Sequence, residues 1–516
     1  MSPRRPHLLS ELVPAWAERD AHASAVGSGD ESIDAEELAI AVGRLSAALR
    51  DRGIAPGDRV AVFAPKSIDS FVAVHAALHA GAIAVPIGTK SVGPTLEAAV
   101  DDIAPAAVVV GPATAARWPS RPDVLAVGQP LPGRDRHLGW DEVLATEPRG
   151  PVARTGDDPA YIITTSGSTG RPKGIVHTHA SGLRYAELAA DCYDLGPDDR
   201  MANVAPFHFD QSTFELYAGP LAGASVVLVP EPLLNFPADL AQLAARERVT
   251  TWYSVPTILR GLLERGALET CDLRSLRWVL FGGEVFPLEP LRELMTRLPG
   301  ARFSNVYGPA EVNQCTFHHL DRPPTDEPLP IGRAWPDTEI RLVDDHGNVL
   351  SGPAEGELEV RTTTAMAGYW ARPDLTASAF RTASGPGGLN EQWYRTGDLV
   401  TRDRDGLHRF LGRRDRQVKV RGVRVELEAV ESALGSLPGV TGSAAVTVDA
   451  DDGALVGLIE STSIDDPDDV RRALRGVLSP DATPDRVVVV DALPRTTSGK
   501  VDVRRAAELV EEVAPT

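Results

Sequence analysis

Apolar residues recur along the chain with two spacings, one typical of helices and one typical of strands. Between 34 and 52 the apolar residues stand three or four positions apart, which is the spacing of one helix face. Asp34 and Glu37 are placed like a capping box at the start of this segment, and Gly53 follows its end. The pattern therefore predicts a helix bounded by Asp34 and Gly53.

Short runs of the strand type follow and alternate with helical segments. A run at 60–64 precedes an apolar helical segment, Ile68–His79, and a second run follows at 82–86. Strands that alternate with helices form a parallel sheet with helices on its faces. Similar runs recur at 107–110, 225–229, 278–281 and 487–490. We therefore expect an α/β architecture throughout the chain.

The stretch 70–89 contains no Asp, Glu, Lys or Arg and has the length of a membrane span. It also contains His75, His79, Gly81 and Pro86, which are unusual in a lipid-embedded helix. A buried helix that turns into a buried strand explains the same composition. We favour the buried helix and strand.

Length and charge restrict the kinds of partner. The 516 residues are too many for one compact core, and loop-rich stretches at 149–158, 321–330 and 381–388 divide the chain into lobes. The chain has 52 basic and 72 acidic residues, so its formal net charge is −20. Such a surface repels nucleic-acid phosphates. We expect small molecules or proteins as partners, with no nucleic acid and no membrane.

The cysteines and the N-terminal segment favour a cytoplasmic location. The three cysteines are scattered and odd in number, which fits neither a disulfide framework nor a CxxC metal pair. Near the start, Glu11 interrupts the chain before any apolar stretch of signal-peptide length. We therefore expect a reducing, cytoplasmic environment.

The segment 161–174 carries the clearest candidate chemistry. It is an apolar run that leads into a loop of glycines, small hydroxyl residues and one lysine. Backbone N–H groups, hydroxyls and an ammonium group can together surround a phosphate. A flexible Ser/Gly turn is the alternative, and the spacing differs from that of a Walker loop. The residues concerned are Thr165, Ser166, Gly167, Ser168, Thr169, Gly170, Lys173 and Gly174.

Four further segments follow this loop in a fixed order. They are 305–311 (NVYGPAE), 394–398 (YRTGD), 411–422 (LGRRDRQVKVRG) and 494–500 (PRTTSGK). With the loop, they resemble the five motifs of the adenylate-forming enzyme superfamily. Within that superfamily, the chain resembles the stand-alone amino-acid adenylation enzymes of the nonribosomal peptide synthetase type.

The resemblance implies a fold, a reaction and two cofactors. The fold has a large N-terminal domain, 1–413, of packed mixed sheets and helices, and a small mobile α+β domain, 414–516, with its hinge at Asp415. The reaction joins a carboxylate to the α-phosphate of ATP with Mg²⁺ present, releases pyrophosphate, and then passes the acyl group to a thiol. Two anions must meet, so cations and fixed dipoles have to cancel their repulsion.

Catalytic roles follow from the same resemblance. Lys500 is implied to bridge the substrate carboxylate and the phosphate oxygens, and Glu311 to hold Mg²⁺. Lys419 is implied to act in the thiol-transfer step. The catalytic positions in the phosphate loop are Thr165, Thr169 and Lys173.

The nucleotide-binding positions are implied in the same way. Tyr307 would stack on adenine, Asn305 would read the adenine amine, and Asp398 would accept the ribose hydroxyls with help from Arg413. The other positions implied to contact the nucleotide are Ser166, Gly167, Ser168, Gly170, Gly283, Glu284 and Gly308.

One position departs from the family pattern. The family usually has Thr where this chain has Ala310, and that hydroxyl contacts the adenylate phosphate. Loss of one such contact costs about 1–3 kcal/mol. A slower first half-reaction is one reading, and compensation by Thr169 or a water is the other.

Asp210 is the main indicator of the substrate. It lies in 206–215, a segment that resembles the motif whose aspartate pairs with the substrate ammonium. A fatty or aryl acid would leave a buried carboxylate without its counter-charge, so Asp210 favours an amine-bearing acid. The alternative is an aspartate that caps the following helix. His208, just before it, resembles the gating residue of the family.

The predicted pocket lining leaves the substrate open. Tyr253, Leu280 and Cys315 resemble the stand-alone prolyl enzymes, whereas Gln211 and Gln314 depart from their apolar lining. Two amides need partners, which are either a polar group on the substrate, each other, or water. Enzymes for β-amino acids are similar in layout, so a proline-like and a β-amino acid both remain candidates. The substrate-binding positions are His208, Phe209, Asp210, Gln211, Phe214, Tyr253, Leu280, Gly282, Val306, Gln314, Cys315 and Lys500.

The end of the chain bears on the acyl acceptor. No Gly-Gly-x-Ser phosphopantetheine motif follows Lys500, so we expect a separate carrier protein, with coenzyme A as the alternative. The segment 413–424 holds six arginines and lysines on an otherwise acidic chain and would suit an acidic carrier. An exposed β-ribbon without a partner explains it equally well.

Three functions are therefore weighed. The first is ATP-dependent loading of an amino acid onto a carrier protein in specialised-metabolite or antibiotic biosynthesis. The second is an acyl- or aryl-coenzyme A ligase, which would share every phosphate motif and differ at Asp210. The third is a non-catalytic adenylate-binding scaffold, suggested by Ala310.

Overall fold

The structure is a computed structural model. It describes residues 5–121, 123–132, 136–165, 173–325, 328–414, 417–448, 454–461, 464, 466–475, 477–495, 501 and 503–512. The chain divides into two compact units. The first unit comprises Met1–Thr89, Ile103–Thr164 and Gly174–Gly412, and the second comprises Lys90–Asp102, Thr165–Lys173 and Arg413–Thr516. The expected functional domains, 1–413 and 414–516, stay a prediction.

Strands make up much of the described chain. In chain order they are β1 (Ser24–Ser28), β2 (Glu31–Asp34), β3 (Arg59–Phe63), β4 (Ile83–Pro86), β5 (Ala107–Val110), β6 (Leu125–Gly128), β7 (His137–Leu138), β8 (Pro159–Thr165), β9 (Lys173–Thr178), β10 (Arg200–Asn203), β11 (Ser225–Leu228), β12 (Thr251–Ser254), β13 (Trp278–Gly282), β14 (Arg302–Tyr307), β15 (Thr316–Leu320), β16 (Pro330–Ala334), β17 (Thr338–Val343), β18 (Val349–Leu350), β19 (Ala354–Thr362), β20 (Gly368–Tyr369), β21 (Phe380–Ser384), β22 (Asn390–Arg402), β23 (His408–Arg413), β24 (Gln417–Val420), β25 (Val423–Glu426), β26 (Gly442–Val448), β27 (Ala454–Glu460) and β28 (Arg486–Val490).

Helices alternate with the strands over much of this length. In chain order they are α1 (Leu12–Arg19), α2 (Ala35–Asp51), α3 (Ile68–His79), α4 (Gly93–Ile103), α5 (Pro112–Ala115), α6 (Trp140–Ala145), α7 (His179–Cys192), α8 (Gly219–Ala222), α9 (Pro237–Arg246), α10 (Pro256–Arg265), α11 (Leu288–Arg297), α12 (Pro373–Ala379), α13 (Leu427–Gly435), α14 (Pro467–Leu474) and α15 (Val503–Glu512).

Two mixed sheets form the first unit. In the larger sheet β1, β11, β10, β12, β13 and β14 run parallel in that order. In the smaller sheet β4, β3, β5 and β6 are parallel neighbours. One apolar cluster takes side chains from both sheets, including Val60, Tyr161, Val226 and Leu280. The predicted α/β class with mixed sheets is confirmed.

The alternation of strand and helix ends after β14. From β14 to β23 the paired strands of the larger sheet are antiparallel, and α12 is the only α-helix among the described residues of that stretch. The expectation of strand and helix alternation throughout was therefore wrong for this part. The stretch 381–388, expected to be a loop, also contributes to β21, which pairs with β22 from Phe380 opposite Tyr394 to Ser384 opposite Asn390.

The first predicted helix is confirmed at both ends. The Asp34 carboxylate accepts a hydrogen bond from the backbone N–H of Glu37, and the Glu37 carboxylate accepts one from the N–H of Asp34. Gly53, just beyond α2, has φ +90°, a conformation that glycine adopts without a steric penalty. Local signals therefore set the ends of α2, and its buried leucines set its orientation.

The stretch 70–89 is a buried helix followed by a buried strand, as expected. Every residue from Ser70 to His79 in α3 is buried, and so is every residue of β4. In the described part of the chain, no helix is both long enough and apolar enough to cross a membrane.

Buried histidines predict acid sensitivity. Burial lowers the pKa of His75 to about 3 and that of His79 to about 4. The unfolded chain therefore binds more protons than the folded chain below pH 6.5, and stability falls as pH falls. We expect protonation of each of these two histidines to lower the free energy of unfolding by about 2 kcal/mol as the pH falls from 6.5 to 5. Urea titrations at several pH values measure this.

A matched pair of variants tests the assignment. His75→Gln should remove the share of the acid loss that His75 contributes, whereas His22→Gln changes an exposed histidine and should leave the acid loss in place. An unchanged slope in His75→Gln would contradict the role given to its burial.

The second unit contains a small α+β core. Its β26, β27 and β28 form a three-stranded sheet, with β26 and β27 antiparallel and β27 and β28 parallel. Leu434 of α13, Leu474 of α14 and Leu455 of β27 meet in one buried cluster. A separate hairpin pairs β24 with β25. The expected α+β class of the C-terminal segment is confirmed.

Candidate active site

Parallel strands bring the predicted pocket residues together at one edge of the larger sheet. Tyr253 of β12 is the register partner of Leu280 of β13, and Gly282 of β13 is the partner of Val306 of β14. These residues lie at or near the carboxyl ends of their strands. Open sheets with parallel strands bind ligands at that edge. The topology therefore places four predicted lining residues on neighbouring strands.

Asp210 lies on the loop that follows the neighbouring strand β10. It is half-buried and begins a single 3-10 turn, Asp210–Ser212. The residue before this turn is Phe209, and no side-chain hydrogen bond caps either this turn or the helical segment after it. Asp210 is therefore not the N-cap residue of either segment, since those positions belong to Phe209 and Thr213.

The Asp210 carboxylate affects the pKa of Tyr253, an aromatic residue of the predicted pocket. Burial raises the pKa of the Tyr253 hydroxyl, and the carboxylate of Asp210 raises it further. The ring of His208 packs on Phe209 with centroids 4.4 Å apart, and Gly88 lies so close to His208 that an added Cβ would be 2.9 Å from Nε2. The segment 208–210 thus presents two rings and one carboxylate.

Both glutamines of the predicted lining have a protein partner. The side-chain Nε2 of Gln211 donates to the backbone oxygen of Gly282 at 3.2 Å, and that of Gln314 donates to the Tyr253 hydroxyl at 3.1 Å. Phe214 packs edge-on against Tyr253 with centroids 5.7 Å apart. The two amides do not bond each other, so that one of the alternatives left open above is wrong.

Two glycines are required by close backbone contacts. A Cβ at Gly282 would come within 2.3 Å of the backbone oxygen of Val306. A Cβ at Gly308 would come within 2.5 Å of the backbone oxygen of Asn313 and within 2.6 Å of the Cα of Gln314. Real Cβ contacts are not this short, so any side chain at either position would displace backbone.

The predicted nucleotide residues Tyr307 and Asp398 are in direct contact. The Tyr307 hydroxyl donates to the Asp398 carboxylate, and the backbone N–H of Cys315 donates to the backbone oxygen of Tyr307 at 2.9 Å. Cys315 is fully buried, and burial raises the pKa of its thiol. A hydrogen bond therefore holds the Tyr307 ring next to the Asp398 carboxylate.

Two other residues predicted to bind the nucleotide make hydrogen bonds to the protein itself. Asn305 donates its Nδ2 to the backbone oxygen of Pro330 at 2.8 Å, which leaves Oδ1 as the atom able to accept from an amine. Glu284 accepts from the backbone N–H of Thr257 at 3.1 Å and from its hydroxyl at 2.7 Å. That carboxylate therefore caps the first turn of α10.

Glu311 is a fully buried carboxylate on the turn after β14. Its Oε1 accepts from the Tyr369 hydroxyl at 2.7 Å, and its backbone oxygen accepts from the N–H of Met366 at 2.7 Å. The preceding residue, Ala310, accepts through its backbone oxygen from Nε2 of His177 at 2.9 Å. Tyr369 and His177 thus hold the turn that carries Glu311.

A buried lysine beneath the Asp210 loop was missed by the sequence analysis. Nζ of Lys66 donates to the backbone oxygens of Asn203, Val204 and Ala205 at 2.8–3.3 Å. Burial lowers the pKa of Lys66 and raises that of Glu215, whose carboxylate accepts from the Asn203 amide. Lys66 therefore fixes the end of β10. Its only sequence signal is a lysine between an apolar run and an apolar helix.

Several predicted catalytic residues belong to the second unit. Within that unit, Nζ of Lys173 lies 3.1 Å from Oε1 of Glu426, which also accepts from the Gln417 amide at 3.1 Å. Lys419 is exposed on β24, and Thr165 and Arg413 are partly buried. The predicted residues that lie outside the described part of the chain are Ser166, Gly167, Ser168, Thr169, Gly170, Asp415 and Lys500.

The family described as AMP-binding enzyme matches residues 13–370, and the family described as AMP-binding enzyme C-terminal domain matches residues 429–500. An amide bond synthetase, McbA, from Marinactinospora thermotolerans has a similar solved structure. Its TM-score is 0.85 at 27% identity, covering 97% of this chain and 99% of the other.

Two curated relatives align over almost their whole length. An L-proline–[L-prolyl-carrier protein] ligase from Pseudomonas fluorescens is 33% identical and covers 98% of this chain and 99% of its own. The ligase of the same name from Streptomyces coelicolor is 34% identical and covers 98% and 97%.

Proposed function

Because the chain belongs to the family of AMP-binding enzymes, we propose that it is an ATP-dependent ligase that loads an amino acid onto a separate carrier protein. The amino acid is proline-like or a β-amino acid. The acceptor is the phosphopantetheine thiol of the carrier, and the product serves specialised-metabolite biosynthesis. The two near-full-length relatives, both named as prolyl-carrier protein ligases, support this assignment.

The observation that carries the proposal is the position of Asp210. Its carboxylate lies close enough to the buried Tyr253 to raise the pKa of that hydroxyl, and Tyr253 itself packs against Phe214 and pairs in register with Leu280. A substrate ammonium is a positive group that this carboxylate would attract. Pairing the two charges lowers the cost of burying either one in apolar surroundings, so the site favours an amine-bearing acid.

The proposed reaction has two balanced steps. The substrate carboxylate attacks the α-phosphorus of ATP, an aminoacyl-AMP forms, and pyrophosphate leaves. The carrier thiolate then attacks the acyl carbon, a thioester forms, and AMP leaves. Lys500, Thr165, Thr169 and Lys173 are proposed to stabilise the first step, and Lys419 to serve the second after rotation at Asp415.

Tyr307 and Asp398 are proposed to bind the nucleoside part of ATP. The Asp398 carboxylate already accepts a hydrogen bond from the Tyr307 hydroxyl, and ribose hydroxyls are donors of the same kind. Oδ1 of Asn305 is the acceptor available to an adenine amine. Gly283, Glu284, Gly308 and Arg413 are proposed to complete the nucleotide site with the phosphate-loop residues Ser166, Gly167, Ser168 and Gly170.

Glu311 suits a magnesium ion that is bound together with phosphates. Mg²⁺ in such sites takes one or two carboxylates and fills its other positions with phosphate oxygens and water. Among the described residues, no group of three His, Cys, Asp or Glu side chains gathers to hold a metal by itself, which fits that mode. Bound there, the ion would neutralise charge on the phosphates, while Tyr369 orients the carboxylate.

Acid-dependent exchange of pyrophosphate into ATP tests the proposal. The panel contains L-proline and its ring-size analogues, α- and β-amino acids, benzoic acid and short fatty acids. We expect strong exchange with an amine-bearing acid and only weak exchange with acids that lack an amine. Exchange only with acids lacking an amine would support the coenzyme A ligase instead, and no exchange with any acid would support the scaffold.

A further inference from the structure

One end of the Gln314 amide is buried without a hydrogen-bond partner. The side chain is 5% exposed, and its Nε2 donates to the Tyr253 hydroxyl at 3.1 Å. Its Oε1 is buried and has no partner among the described residues. Exchanging the two ends of the amide would move the unpaired position to the nitrogen and would not remove it.

The residue that bonds Gln314 does not satisfy this atom. The Tyr253 hydroxyl is bonded to the other end of the amide, and Tyr253 itself packs against the ring of Phe214 and pairs in register with the aliphatic Leu280. The second glutamine of the lining differs, because Nε2 of Gln211 bonds to the backbone oxygen of Gly282. A buried polar atom without a partner is unfavourable and is uncommon in folded proteins.

We propose that Gln314 selects an amino acid whose side chain carries a hydroxyl group. This inference rests on the proposed function, because it assumes that the lining described above surrounds the side chain of the activated acid. A hydroxyl can donate to Oε1 and can also accept from Nε2, so it satisfies either orientation of the amide. A purely hydrocarbon side chain satisfies neither orientation.

The proposal predicts a measurable preference between matched acids. The unmodified enzyme should activate a hydroxylated proline, or a hydroxylated β-amino acid, with a kcat/KM about ten- to a hundredfold above that of its hydrocarbon counterpart. Pyrophosphate exchange with L-proline against its 3- and 4-hydroxy isomers, and with 3-aminobutanoate against 3-amino-4-hydroxybutanoate, measures it. An equal or higher kcat/KM for both hydrocarbon acids would overturn the proposal.

One substitution tests the polar atoms of the Gln314 amide without changing the shape of the site. Gln314→Met keeps a side chain of similar length and removes both polar ends, so it should abolish or reverse the hydroxyl preference while exchange with the hydrocarbon acid persists. Gln392→Met changes an exposed glutamine of β22 outside the site, so the ratio between hydroxylated and hydrocarbon acids should equal that of the unmodified enzyme. An unchanged ratio in Gln314→Met would count against the role of the amide.

Failure of this inference is distinct from failure of the proposed function. If amino acids are activated without a hydroxyl preference, the proposed ligase function is retained and the proposed role of Gln314 is wrong. If no amine-bearing acid supports exchange, the proposed function and the role of Gln314 are both wrong. The comparison within the unmodified enzyme needs no variant and does not depend on whether a substituted protein folds.

Discussion

Asp210→Asn should lower kcat/KM for amino-acid activation by about two to three orders of magnitude, because it removes the negative charge proposed to pair with the substrate ammonium. The amide keeps the size of the side chain, so the rings of His208 and Phe209 beside it can stay in place. Pyrophosphate exchange at varied amino-acid concentration measures the effect. The loss should fall mainly on KM if the pair forms equally in ground and transition states.

Acids that lack an amine provide the internal control. Cyclopentanecarboxylate has nearly the shape of proline without its nitrogen, and its weak activation should be unchanged or improved in the variant. If the protein is a coenzyme A ligase, the activation of acids with and without an amine should depend little on Asp210. Equal losses for acids with and without an amine would show that Asp210 supports the loop and not the ammonium.

Glu311→Gln should reduce the rate of adenylation by about 10²–10³, because the site loses its buried carboxylate and with it the negative ligand proposed for Mg²⁺. The substitution keeps an acceptor for the Tyr369 hydroxyl. Folding should therefore be retained, and single-turnover formation of aminoacyl-AMP isolates the affected step.

Tyr369→Phe is the matched control for this contact. It removes the hydrogen bond to Glu311 and keeps the carboxylate, so the rate should fall by less than about tenfold. The Mg²⁺ concentration that gives half-maximal rate should rise strongly in Glu311→Gln and only slightly in Tyr369→Phe. If the Mg²⁺ requirement of Glu311→Gln equals that of the unmodified enzyme, the carboxylate does not hold the ion.

Local sequence signals account for the parts of the fold that were predicted well. The capping box of Asp34 and Glu37 and the apolar segment Ile68–His79 depend on residues a few positions apart, and both helices were found as expected. The family membership, read from five short motifs, is confirmed. The antiparallel strands after β14 were missed, because β pairing depends on partners distant in sequence, as between β19 and β22.

The candidate site shows the same division. Sequence motifs identified Asp210, Tyr307 and Asp398, and the structure brings Tyr307 and Asp398 into contact. Nothing in the local sequence indicates that Tyr369 bonds Glu311, or that Lys66 binds three carbonyls at the end of β10, because each contact joins segments far apart in the chain. Residues that position a site are therefore harder to predict than residues that define a motif.

The crowded backbone at Gly282 and Gly308 divides the site into a fixed part and a variable part. Neither position accepts a side chain without displacing the neighbouring backbone, so a substitution at either one should alter the path of β13 or of the turn after β14. Gln211 and Gln314 meet this backbone differently, because Gln211 bonds to the backbone oxygen of Gly282 through its side chain and Gln314 lies beside Gly308. Exchanging side chains such as these should therefore change which acid is accepted, while the path of the backbone stays the same.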